Sequence, residues 1–196
     1  PASISIPQFR DDAIAVLDAV GAECAHLVAQ SLGGFTSLRL ALDHPERVKS
    51  LTMSCTPGGI PIERPSESFR QLTTASGSSA AGVLATMAKK TQKDAARIQL
   101  YQSINAFNTE FSWDKLAAIS NPDDQVAPER LKDLLVPVLF VSGLEDPLFE
   151  TEALAALVPH FANATLERVT DAGHSPYFEQ PGVFNALLEG FLEANA

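Results

Sequence analysis

The hydrophobic pattern changes period several times along the chain, and each change marks an element. Phe9, Ala13, Val16, Leu17 and Val20 recur at helical spacing. This predicts a helix over residues 8–20, with Gly21 as its left-handed stop. The short, mostly apolar run Ala-His-Leu-Val-Ala-Gln at 25–30 reads as a buried strand. Ser31, Leu32, Gly33 and Gly34 read as a sharp turn. Residues 35–43 read as a helix that ends before Pro45, because the residue preceding a proline avoids helical backbone. A second strand is expected over 48–56, broken by Pro57, Gly58 and Gly59.

The pattern differs from Ile60 onward. Residues 60–133 hold helical stretches and no convincing strand. Ser66 followed by Glu67 suits the start of one helix. Others are expected over 80–90, 93–107 and 128–135, with the Ser-Gly-Ser-Ser run at 76–79 as a flexible connector. Strand character returns at 136–142 and closes at Gly143. A helix near 151–158, a fourth strand over 164–169 and a final helix over 181–194 complete the chain. This order predicts an α/β fold, a mostly parallel sheet with helices on both faces, interrupted by a helical cap insertion. Three segments result: a first core part at 1–59, the cap at 60–133 and a second core part at 134–196.

Composition narrows the function classes. The chain has 196 residues, 45% hydrophobic and 19% charged, enough apolar material for a sizeable core and against a wholly disordered chain. Its formal net charge of −10 repels phosphate backbones and anionic bilayers, which argues against nucleic-acid or membrane partners. No apolar run approaches the roughly 18 residues needed to span a bilayer. The start carries no basic region of the kind that opens a signal peptide. Two cysteines, Cys24 and Cys55, make no disulfide framework, so a reducing cytoplasm is the expected location.

Three segments carry candidate chemistry, each just after a predicted strand. Ala29-Gln30-Ser31-Leu32-Gly33 has the form small-x-Ser-x-Gly between a strand and a helix. Small flanking residues suit a strained turn that lifts a hydroxyl out of the sheet. The helix that follows aims its N–H groups and positive dipole end at Ser31. The plain alternative is a serine capping a helix. The second segment, Ser142-Gly143-Leu144-Glu145-Asp146-Pro147, puts adjacent carboxylates at the ligand-binding edge of a parallel sheet. The third, Asp171-Ala172-Gly173-His174-Ser175-Pro176, puts a histidine after the last strand. His26, His44 and His160 read as structural. Neither they nor the cysteines show zinc spacing, and the Gly58-Gly59 pair is no dinucleotide fingerprint.

The small-x-Ser-x-Gly segment resembles the nucleophile elbow of the α/β-hydrolase family, with Ala29 where that family usually has glycine. The chain order Ser31, Asp146, His174 is also that family's order, unlike the chymotrypsin or subtilisin types. The resemblance runs from about Phe9 to Leu192. It implies Ser31 as nucleophile, His174 as general base, Asp146 as the acid with Glu145 as its rival, and the Leu32 N–H as an oxyanion donor. It implies a serine hydrolase that needs no metal or organic cofactor and acts on a small molecule. A small carboxylic ester is favoured, with lactones and carbon–carbon bond cleavage close behind. A non-catalytic, receptor-like binder on the same fold is the other class. Met87, Phe107 and Trp113 in the cap could line the substrate pocket, or could be the cap's own core.

A full member of the family begins with strands ahead of the helix that opens here, and the loop after its third strand supplies a second oxyanion N–H. The expectation is that on the order of 60–80 residues precede this segment in a complete protein. The strand at 25–30 would then be an open edge through which the chain self-associates.

Overall fold

The computed structural model describes residues 5–63, 66–69, 84–107 and 124–196. Helix α1 spans Ile6–Ala19, and Ser5 caps it by accepting the Gln8 N–H. Strand β1 follows at Ala25–Gln30 and helix α2 at Leu32–Asp43. The turn expected over four residues is made by Ser31 alone, so α2 starts earlier than the pattern indicates. Strand β2 spans Val48–Ser54 and stops short of the expected end, because Cys55 turns to a φ of 47°. Between β2 and β3 the described residues include helices α3 at Lys89–Gln92 and α4 at Ala95–Asn105. Asp94 caps α4 through the Arg97 N–H. The helix expected over 80–90 does not run through 85–88, which are turn, bend and irregular backbone. Part of that range lies outside the described residues, as does the connector at 76–79. The segment at 128–135 forms a 3-10 turn, Pro128–Asp133, rather than an α-helix.

Strand β3, Val138–Gly143, helix α5, Thr151–Ala155, and strand β4, Ala164–Val169, follow. A short helix α6, Pro176–Glu179, was not legible in the pattern and precedes the long α7, Pro181–Ala194. The four strands form one sheet in the order β1-β2-β3-β4, and every neighbouring pair is parallel. All four carboxyl ends therefore point to the same edge, where open parallel sheets bind their ligands.

Burial follows from this order. Every residue of β3 and all but one of β2 are buried, as central parallel strands require. Side chains alternate across β3. Val138 and Phe140 join the cluster containing Leu38, Leu51, Leu131 and Leu154 on one face, while Leu139 and Val141 join Val169 and Phe184 on the other. Helix α7 covers the second face through Phe184, Leu187, Leu188 and Phe191. Helices thus lie on both faces, as the sequence pattern predicts. Among the described residues no helix is long and apolar enough to cross a membrane.

Candidate active site

Ser31 stands between β1 and α2 with φ 49° and ψ −115°, a backbone conformation rarely open to a residue with a Cβ. Its own N–H donates to Ser54 O at 3.0 Å, so the strand ladder is extended by one residue before the chain turns. The crowding that holds this turn is at Gly34. A Cβ there would fall 2.3 Å from Thr56 Cγ2, whereas one on Gly33 would meet only Ala29 Cβ, at an ordinary 3.7 Å. Leu32 is the first residue of α2, so its N–H is among the helix's first donors with no intrahelical acceptor. It is available to an oxygen at the elbow.

His174 follows β4, and its imidazole links the other two predicted residues. Nε2 lies 2.9 Å from Ser31 Oγ, and Nδ1 lies 2.9 Å from Asp146 Oδ2. An ionised carboxylate only accepts, so Nδ1 carries the proton that Asp146 receives. Nε2 is then left with a lone pair for the Ser31 hydroxyl. The Asp146 side chain is fully buried and that of His174 is 11% exposed. Asp146 Oδ1 accepts the Leu148 N–H at 2.8 Å, which fixes the carboxylate's orientation. Phe149 packs on the imidazole with ring centroids 5.8 Å apart.

Glu145 takes a different place. Its Oε2 accepts the Lys89 N–H at 3.0 Å, at an exposed position. The adjacent carboxylates are thus separated by direction, one toward His174 and one toward Lys89. Of the proposed pocket residues, Met87 is buried at 2% and Phe107 is 87% exposed. Trp113 lies outside the described residues. His26 Nδ1 lies 2.8 Å from Ser50 Oγ, within the sheet. His44 ends α2, and His160 ends a 3-10 turn.

Three neighbours of the site carry no signal that the sequence reading used. Cys55, fully buried at the end of β2, directs its thiol to Gly173 O at 3.6 Å. Burial, and then the charge of Asp146, push that thiol well above its ordinary range, so it stays protonated. Cys55, Asp146 and His174 are also the one trio among the described residues that offers possible metal-ligand atoms within 4.8 Å of one another. Two of the three are already hydrogen-bonded to each other. Gln30, just before the elbow, donates through Nε2 to the His174 carbonyl. Glu179 is fully buried beside the histidine loop. Gln30 lies next to Ser31 and Glu179 five residues past His174, and only the folded geometry reveals their contacts.

Comparison with known proteins agrees with the architecture. The family described as alpha/beta hydrolase fold matches residues 3–181. The chain is 28% identical over 193 residues to 3-oxoadipate enol-lactonase 2 of Acinetobacter baylyi, covering 96% of this chain and 71% of that protein. It is 29% identical over 205 residues to 2-hydroxymuconate semialdehyde hydrolase of Pseudomonas putida, covering 100% and 73%. Among solved structures, Est816, described as an N-acyl homoserine lactone degrading enzyme, superposes with a TM-score of 0.80 at 25% identity, covering 97% and 76%. The chain belongs to the α/β-hydrolase fold family, and it is an enzyme on that fold.

Proposed function

We propose that this enzyme is a serine hydrolase that cleaves a small carboxylic ester through an acyl-enzyme. One observation carries the reading: a serine in strained elbow backbone, hydrogen-bonded to a histidine that is hydrogen-bonded to a buried aspartate, at 2.9 Å each. In this reading His174 takes the Ser31 proton as Oγ attacks the carbonyl carbon. Asp146 holds the imidazole tautomer and stabilises the cation that forms. The Leu32 N–H meets the oxyanion, and the family's second donor comes from a loop N-terminal to the elbow strand. His174 then returns its proton to the leaving alkoxide, and water releases the acyl group by the same steps in reverse roles. The base must be neutral to accept the Ser31 proton.

Lactones and carbon–carbon bonds of vinylogous diketone acids form the second reading, supported by the relatives named as an enol-lactonase and a semialdehyde hydrolase. The same nucleophile serves both chemistries. Labelling with a fluorophosphonate probe tests the nucleophile: wild type is expected to label and Ser31→Ala to remain blank. A folded wild type that resists the probe, or a Ser31→Ala chain that still labels, would sink the mechanism. Turnover of p-nitrophenyl acetate, a homoserine lactone and a vinylogous diketone acid, side by side, separates the substrate classes.

A further inference from the structure

Glu179 is the one carboxylate in the described core that the proposed chemistry does not use. It has 0% exposure. Burying a carboxylate in this way is costly unless its lone pairs are satisfied. Here three backbone N–H groups do so. Oε1 accepts from Gly173 at 2.9 Å and from Ser175 at 3.1 Å, the residues on either side of His174. Oε2 accepts from Ala88 at 2.7 Å, in the insertion. A single side chain thus spans the histidine loop and the base of the cap.

The backbone around it is packed as three layers. A Cβ on Gly143 would fall 2.0 Å from Gly173 O, and a Cβ on Gly173 would fall 2.3 Å from Thr86 O. The histidine loop therefore lies pressed between the end of β3 and residues 86–88. The His174 N–H donates to Thr86 O at 2.8 Å, alongside the Ala88–Glu179 bond. Two backbone groups of this non-helical stretch, Thr86 O and the Ala88 N–H, are thereby committed to His174 and Glu179. Arg97 of α4 donates to the Glu179 carbonyl as well, so a second cap element holds the same residue.

We propose that Glu179 is a positioning residue: it fixes His174 between Ser31 and Asp146 and ties that position to the base of the cap. The inference rests on the serine-hydrolase reading for its effect on turnover, but the clamp itself does not depend on it. Glu179→Gln keeps the shape and replaces one acceptor oxygen with a donor, which opposes an N–H whichever way the amide turns.

The test compares Glu179→Gln with wild type, each with and without His174→Ala, using p-nitrophenyl acetate. In the wild-type background kcat is expected to fall at least about tenfold, with KM within about twofold. In the His174→Ala background the same change is expected to alter residual turnover by less than about twofold, because its route of action is gone. Equal losses in both backgrounds, or no loss in either, would overturn the proposal. If His174→Ala leaves turnover intact, the hydrolase reading fails instead. Amide hydrogen exchange reads the clamp without any turnover. Exchange at Gly173, Ser175 and Ala88 is expected to quicken at least about tenfold in Glu179→Gln, and unchanged exchange refutes the clamp. Should Glu179→Gln not fold, Glu179→Asp, which keeps the charge but is one methylene shorter, takes its place in the same measurements. Failure of both to fold would assign Glu179 to stability alone and overturn the positioning role.

Discussion

Gly33 and Gly34 sit side by side in the first turn of α2, and the structure gives them opposite tolerances. A methyl group on Gly34 would stand 2.3, 2.5 and 2.9 Å from Thr56 Cγ2, Oγ1 and Cβ. Thr56 is fully buried, and its hydroxyl accepts the Gly58 N–H at 3.1 Å, so it has no free direction to turn. Its β-branch leaves another heavy atom in the way for any χ1 rotation. Relief therefore requires α2 to move by about 1 Å, and overpacking of this kind costs about 1–3 kcal/mol. A methyl on Gly33 meets only Ala29 Cβ at 3.7 Å, an ordinary contact. Replacing a helical glycine there by alanine stabilises by about 0.4–1 kcal/mol through the unfolded chain. The two variants are thus expected to differ by about 1.4–4 kcal/mol, with Gly33→Ala at or above wild type. Urea unfolding followed by circular dichroism reads this as a shift in midpoint at constant slope. The shift of α2 also moves Leu32 and Ser31, so Gly34→Ala should lose fluorophosphonate labelling. Equal midpoints for the two variants would refute the crowding argument.

Asp146→Asn is expected to lower kcat by on the order of 10³–10⁴ with little change in stability, since the amide favours the wrong imidazole tautomer. Turnover within tenfold of wild type would move the acid role elsewhere. Asp43 gives a pH prediction. Burial pushes its carboxyl up, but the Arg130 and Arg10 hydrogen bonds, at 3.0 and 2.7 Å, and the charge of Arg39 outweigh that and hold it below the usual carboxylate range. A carboxyl lowered on folding contributes stability that is present above its unfolded value and lost as pH falls through the folded one. Asp43→Asn should therefore destabilise at neutral pH, and the gap from wild type should close at acid pH; a pH-independent gap contradicts this. Among the described strands β1 pairs only with β2, and its Val28 is 50% exposed. Concentration-dependent association through that edge is expected in sedimentation velocity, and a monomer at every concentration argues against it.

Local pattern was sufficient where an element is defined by its own residues. Strands at 25–30 and 164–169 and the helix at 181–194 have the bounds that their apolar runs and flanking turn residues indicate. It was insufficient where a distant segment decides. Strand β2 ends at Ser54 rather than continuing to 56, because Cys55 must turn over the sheet edge. Residues 85–88 have helical composition, yet Thr86 O and the Ala88 N–H bond to His174 and Glu179 instead of within a helix. The elbow glycines read as equivalent in sequence, but only Gly34 faces Thr56. Family resemblance favours Asp146 over its neighbour Glu145, and the fold supplies the physical reason by sending Glu145 to Lys89 and Asp146 to His174. Glu179 had no readable signature, because its partners are backbone N–H groups from separate segments.

The site also explains where the fold carries its strain. Among the described residues, three non-glycine residues have positive φ: Ser31 at 49°, Cys55 at 47° and Asp171 at 53°. Each lies one or two residues past the carboxyl end of a strand, β1, β2 and β4 in turn. Such conformations cost on the order of 1–3 kcal/mol each and persist only where the surroundings hold them. For two of the three the surroundings do so by extending the ladder past the strand: Ser31 donates to Ser54 O at 3.0 Å and Cys55 to Val141 O at 2.8 Å. The chain is thus held in the sheet's frame up to the residue that turns, and the turn then sends the side chain over the edge. A relaxed turn would spread the change of direction over several residues and leave the hydroxyl free to wander. Concentrating it at Ser31 in a hydrogen-bonded frame is what holds the hydroxyl 2.9 Å from the imidazole of a residue 143 positions away in sequence.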